Sequence, residues 1–140
     1  MKKVLFVCVE NSCRSQMAEA FGKIHGKGIV DVYSSGSKPS GIVNPKAIAA
    51  MKAIGYDMTK HISVGLDEIP QEKYEYAVTM GCGDECPMVD ANNREDWAIP
   101  DPKHMEPVDF NRVRDIIETE VKEIVKKVKA DKWLLLFSNK

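Results

Sequence analysis

Cys8 and Arg14 stand with five residues between them in the stretch Cys8-Val9-Glu10-Asn11-Ser12-Cys13-Arg14-Ser15. A cysteine is a nucleophile as its thiolate, and a cationic, N–H-rich setting lowers its pKa so that the thiolate forms near neutral pH. Arginine supplies a planar fork that can hold two oxygens of a tetrahedral oxyanion at once. The pair therefore points to attack by Cys8 on the central atom of an anion gripped by Arg14. Spacing by itself is weak support, because a chain with four cysteines has a chance of roughly one in four of holding some such pair. The elements on either side must carry the argument.

Lys2 to Val7 is a short β-branched and aromatic run without alternation, the pattern of a central strand buried on both faces of a parallel sheet. From Ser15 onward Met17, Ala18, Phe21 and Ile24 recur at helical spacing until Gly26 and Gly28. The loop from Cys8 to Ser15 thus joins the carboxyl end of a strand to the start of a helix, where open α/β sheets bind ligands. Backbone N–H groups of Val9, Glu10, Asn11, Ser12 and Cys13 converge in such a loop. With the helix N-terminus they form a concavity suited to a phosphate-like anion. Asn11, Ser12 and Ser15 can pin the loop by local side-chain bonds.

Further along, Val30 to Ser34 reads as a second strand and Ser35 to Gly41 as a loop. Asn44-Pro45 reads as the cap and first position of a helix reaching Ile54 and stopped by Gly55. Tyr74 to Thr79 reads as a third strand, Gly81 to Pro102 as irregular, and Phe110 to Val128 as a long amphipathic helix. Val113, Ile116, Ile117, Val121, Ile124 and Val128 make its apolar face. Strands alternating with helices imply an α/β fold: a doubly wound parallel sheet of about four strands flanked by helices. The apolar Trp133 to Phe137 is expected to continue the last helix or dock on the core, with a dimer contact or an exposed patch as the alternatives.

A chain of 140 residues with 44% hydrophobic content fits one ordinary core, so residues 1–140 are read as one domain. Twenty basic against 21 acidic residues leave a net charge of −1, which argues against nucleic acid or an anionic membrane as partner. The apolar run near the start is too short for a signal sequence, and no stretch approaches a membrane span. A cytoplasmic location follows, and the four cysteines need a use other than a secreted disulfide framework. No second Cys or His pair accompanies Cys82 and Cys86 at zinc-site spacing. No metal or cofactor is therefore expected, and His61 and His104 are assigned solvated or capping roles.

The segment Asn11-Ser12-Cys13-Arg14-Ser15-Gln16-Met17-Ala18-Glu19 resembles the anion loop of the thioredoxin-coupled arsenate reductases, a branch of the low-molecular-weight protein tyrosine phosphatase superfamily. The likeness continues through Val32 to Gly36, Val43 to Ile48, Val78 to Met80, and Asp96-Trp97 to Asp101-Pro102. The resemblance implies that Ser15 bonds the leaving thiolate and that Asn11 braces the loop. It also implies that Asp101 is the general acid for a departing oxide. Read alone, Asp101 before Pro102 favours an Asx-type turn.

Cys82 and Cys86 separate reduction from hydrolysis. A phosphatase needs only Cys8, whereas a reductase without a redox cofactor must draw two electrons from thiols. The resemblance implies that Cys8 forms an adduct with arsenate, Cys82 then attacks the Cys8 sulfur, and Cys86 moves the disulfide to Cys82–Cys86. Thioredoxin, glutaredoxin or a low-molecular-weight thiol would reduce that bridge. Three residues intervene between Cys82 and Cys86, fewer than in relatives with a well-defined thioredoxin relay. The alternative is a phosphomonoesterase, but Lys103-His104 stand where phosphatases of the superfamily often carry an aromatic pair. Some members bind potassium through positions matching Asn11, Glu19 and Ser34 and a further acidic residue. Val64 follows the His61-Ile62-Ser63 stretch here, so Glu19 is expected to brace the loop instead.

Overall fold

The computed structural model describes residues 1–81 and 89–138. Its elements are β1 (Lys2–Cys8), α1 (Arg14–His25), β2 (Val30–Gly36), α2 (Pro45–Lys52), β3 (Tyr74–Thr79), β4 (Ala91–Asp96) and α3 (Pro107–Ser138). A 3₁₀ turn covers Leu66–Glu68. The four strands form one parallel sheet in the order β2-β1-β3-β4, with β1 in its interior as its unbroken apolar run requires.

Side-chain alternation along β1 divides the core. Val4, Phe6 and Cys8 face the larger cluster, with Met17, Ala18 and Phe21 of α1, Met51 of α2, and Phe110, Val113 and Ile117 of α3. Leu5 and Val7 face the smaller one, with Tyr74, Ala77 and Ala91, flanked by Tyr33, Leu66 and Ile69. Asn44 caps α2 through Oδ1, which accepts from the Lys46 N–H at 2.9 Å, and Pro45 takes the first helical position.

Three details depart from the sequence expectation. β4 lies inside the stretch read as irregular; Ala91-Asn92-Asn93-Arg94-Glu95-Asp96 carries no apolar run, because an edge strand with exposed side chains does not need one. α2 stops at Lys52, two residues before Ile54. Ile24 and Ile116 point to solvent although both fall near the apolar stripe of their helices. The apolar tail continues α3, as expected, with Trp133 and Leu134 62% and 65% exposed.

Candidate active site

The loop leaving β1 is held from outside by the segment after β2. Backbone N–H groups of Ser37, Lys38, Ser40 and Asn44 donate to the carbonyls of Cys8, Val9, Glu10 and Ser12 at 3.3, 2.8, 3.0 and 3.1 Å. Because a trans peptide directs its N–H opposite to its C=O, these bonds turn the following N–H groups toward the concave side. Gly36 makes the close approach possible, since a Cβ there would lie 2.6 Å from the Val9 carbonyl oxygen. No side chain caps α1 and its first turn holds no acid, so its leading N–H groups also face the loop.

Asn11 adopts φ +51°, the left-handed region that asparagine tolerates better than most residues. Its buried side chain explains how that conformation is maintained. Nδ2 donates to Ser15 Oγ at 2.7 Å and to Ser34 Oγ at 3.0 Å. Oδ1 accepts from Gln16 Nε2 and from the Val64 N–H, both at 2.9 Å. Ser15 Oγ, already an acceptor from Asn11, lies 2.8 Å from Cys8 Sγ and can direct its own hydrogen at the sulfur.

The network extends behind the loop. Ser34 Oγ donates to Glu19 Oε1 at 2.9 Å, while Glu19 Oε2 takes Lys23 Nζ at 3.0 Å and faces His61 Nδ1 at 3.2 Å. His61 Nδ1 also lies 3.0 Å from Gln16 Oε1, and its Nε2 lies 2.8 Å from the Tyr56 hydroxyl. Two acceptors beside Nδ1 place the proton there, leaving Nε2 to accept from Tyr56. Burial, partly offset by Glu19, holds the His61 pKa below its usual value. The expected solvated or capping role of His61 is therefore incorrect: its side chain is 5% exposed and belongs to the support of the loop. His104 is exposed, and Glu19 braces the loop as expected.

On the open side, Arg14, Gly81, Asp101 and Lys103 join Cys8 and the loop residues around a cavity of about 450 Å³. Arg14 is nearly buried; Nη1 donates to the Ile99 carbonyl at 3.0 Å and Nη2 faces Asp101 Oδ2 at 3.8 Å. Asp101 Oδ1 accepts from the Lys103 N–H at 3.1 Å. The Asx-type turn and the approach to the anion site are thus compatible, one carboxylate oxygen serving each. Trp97, Ile99 and Pro102 are buried and anchor this loop. Lys46 Nζ, from α2, donates to the carbonyls of Lys103 and Met105, each at 3.2 Å.

Cys13 lines the same cavity. Burial first, then the charges of Asp101 and Cys8, push its thiol up to about 12, so it stays protonated at neutral pH. Cys8, Arg14, Ser15 and Asp101 are brought together as expected; Cys82 and Cys86 lie outside the described residues. Gly81, Lys46 and Lys103 were missed. Gly81 has φ +74° and a Cβ there would meet Arg14 Nη1. A glycine two residues beyond the end of β3 was a legible signal, whereas a lysine has none until its partner is known.

An α/β protein whose central strand ends in a cysteine-headed anion loop, facing an aspartate loop, is the class that this fold and site define. The family model for the low molecular weight phosphotyrosine protein phosphatase matches residues 3–134. An arsenate reductase of Staphylococcus aureus is 42% identical over 127 residues, covering 87% of this chain and 95% of that protein. A glutaredoxin arsenate reductase of Synechocystis is 37% identical over 131 residues, covering 91% and 99%. A solved arsenate reductase in the phosphate binding state superposes with a TM-score of 0.84 at 37% identity, covering 91% of this chain and 99% of that one. The chain belongs to the low molecular weight phosphotyrosine protein phosphatase family.

Proposed function

We propose that this chain is an arsenate reductase in which Cys8 attacks arsenate and a thiol relay through Cys82 and Cys86 supplies the electrons. The observation that carries this reading is one cavity lined by Cys8, Arg14, Asp101 and Gly81, the last joined to Cys82 by a peptide bond. The inward N–H groups and Arg14 bind the oxyanion, and Asp101 delivers a proton to the oxygen that departs as Cys8 Sγ bonds to arsenic. Cys82 then attacks the Cys8 sulfur. The S–As bonding pair passes to arsenic, which leaves as arsenite, while the two sulfurs form a disulfide. Ser15 donates to the Cys8 sulfur when Cys86 displaces it. Cys13, held as a thiol, stays out of the exchange.

The two thiol electrons must be returned by one dithiol donor or by two equivalents of a monothiol. The Synechocystis relative is a glutaredoxin arsenate reductase, which supports a donor of that class, with thioredoxin or a low-molecular-weight thiol as competing donors. Such a cycle belongs in a reducing compartment, which supports a cytoplasmic location. Among the described residues no helix is long and apolar enough to cross a membrane.

The test is arsenite formation from arsenate with reduced glutaredoxin or thioredoxin, followed by mass mapping of the disulfide. Cys82→Ser is expected to abolish turnover and leave a single-turnover Cys8 adduct. Undiminished turnover by Cys82→Ser would overturn the relay. Hydrolysis of phosphate esters surviving the loss of both Cys82 and Cys86, with no arsenite formed by the native chain, would identify a phosphomonoesterase instead.

A further inference from the structure

We propose that Glu10 and Lys103 form a latch across the mouth of the site, which registers Asp101 against the anion loop and selects small inorganic oxyanions over organic phosphate esters. The inference deepens the reductase reading and, for its substrate preference, rests on it. Lys103 Nζ lies 3.0 and 3.1 Å from the two carboxylate oxygens of Glu10, bridging the anion loop and the loop that carries Asp101. The two residues are 93 positions apart in sequence, so the pair is made by tertiary structure alone.

Lys103 acts on Asp101 from two sides. Its backbone N–H holds Asp101 Oδ1, while its ammonium fixes the same turn to Glu10. From behind, Lys46 grips the carbonyls of Lys103 and Met105. The acid is thereby tied to the loop that presents Cys8, not merely placed near it. Charge explains why the partner must be basic: an unpaired Glu10 carboxylate at the rim would repel an entering dianion, and Lys103 neutralises it.

The same bridge bears on selectivity. Both side chains line the cavity and are part-exposed, 37% for Glu10 and 42% for Lys103, which places the pair at the rim. An ester bound with its phosphoryl group in the loop must carry its organic group out past that rim. A free oxyanion has no such group to accommodate. Ion pairs exposed to this degree contribute little to folding, so the latch is expected to register in catalysis and not in melting temperature.

The experiment is a double-mutant cycle with Glu10→Gln, Lys103→Met, both together, and the exchanged pair Glu10→Lys with Lys103→Glu. Each protein is assayed for arsenate reduction and for p-nitrophenyl phosphate hydrolysis, at low and high ionic strength. Lys103→Met is expected to lower kcat/KM for arsenate about fivefold, the most that an exposed pair supports, and to shift the ratio of the two activities toward the ester. The exchanged pair should recover most of the loss, and salt should weaken the native enzyme's advantage. In an Asp101→Asn background, Lys103→Met should lose the part of its effect that runs through that carboxyl and keep only the salt-sensitive repulsion of the oxyanion by unpaired Glu10. Strictly additive losses at Glu10 and Lys103, or an unchanged activity ratio, would overturn the proposal. If the native chain hydrolyses the ester but never reduces arsenate, the reductase reading and the selectivity fail. Coupling between Glu10 and Lys103 in hydrolysis still decides the positioning role.

Discussion

Asn11 is the residue on which the shape of the anion loop depends. Its left-handed backbone is affordable because the side chain spends every donor and acceptor on Ser15, Ser34, Gln16 and Val64. Asn11→Ala should cost roughly 3 kcal/mol, read from the urea midpoint, since several buried partners lose their bonds together. Asn11→Gly removes the backbone strain yet keeps that loss of partners, so it should remain well below the native midpoint; recovery with glycine would show that φ alone matters. Cys13 provides a second check at this scale. With a thiol near 12, it should resist iodoacetamide at neutral pH in the folded protein and react on unfolding. Peptide mapping that finds Cys13 labelled in the native state would contradict its assignment as a bystander.

Between elements, the decisive contact is Arg14 against the turn that follows β3. Gly81 admits the guanidinium where any Cβ would overlap Nη1, and Arg14 is otherwise fixed by the Ile99 carbonyl and Asp101. Gly81→Ala should displace the fork and lower kcat/KM by about a hundredfold, the scale of a misplaced positioning group, with KM for the oxyanion raised. An unchanged KM would mean that Arg14 tolerates the methyl group. The supports behind the loop work in the same way: β2 contributes Ser34, α1 contributes Gln16 and Glu19, and the segment before β3 contributes His61.

Across the whole molecule, the buried ionisable groups set the pH range of stability. Burial raises Cys13 from 9.0 and Tyr74 from 10.0, each to about 12. Between roughly pH 9 and 12 the unfolded chain therefore loses protons that the folded chain keeps, and stability falls as pH rises, by about 1.4 kcal/mol per unit for each group fully in its window. His61 acts at the other end. Its folded pKa lies below the ordinary 6.5, so the unfolded chain binds the extra proton first and stability falls as pH drops below that value. Urea midpoints should decline on both sides of a neutral plateau, with Cys13→Ala flattening the alkaline limb and His61→Gln the acidic one. A limb unaffected by its variant would remove that group from the account.

The chain itself determined the elements that local pattern can specify: the buried run of β1, the stripe of α1, the Asn44 cap of α2, and the loop of Cys8, Asn11, Arg14 and Ser15. These are set by hydrophobic period, cap chemistry and residue type within a dozen neighbours. β4 escaped because an exposed edge strand needs no apolar signature, and α3 ran past its periodic stretch because a helix can continue without burying its face. Only the tertiary structure decided the partners of Lys103, Lys46, Gly81 and His61. Each acts on a residue that is distant in sequence and brought near by sheet order β2-β1-β3-β4. A lone charge or glycine has no readable meaning until folding supplies the group it faces.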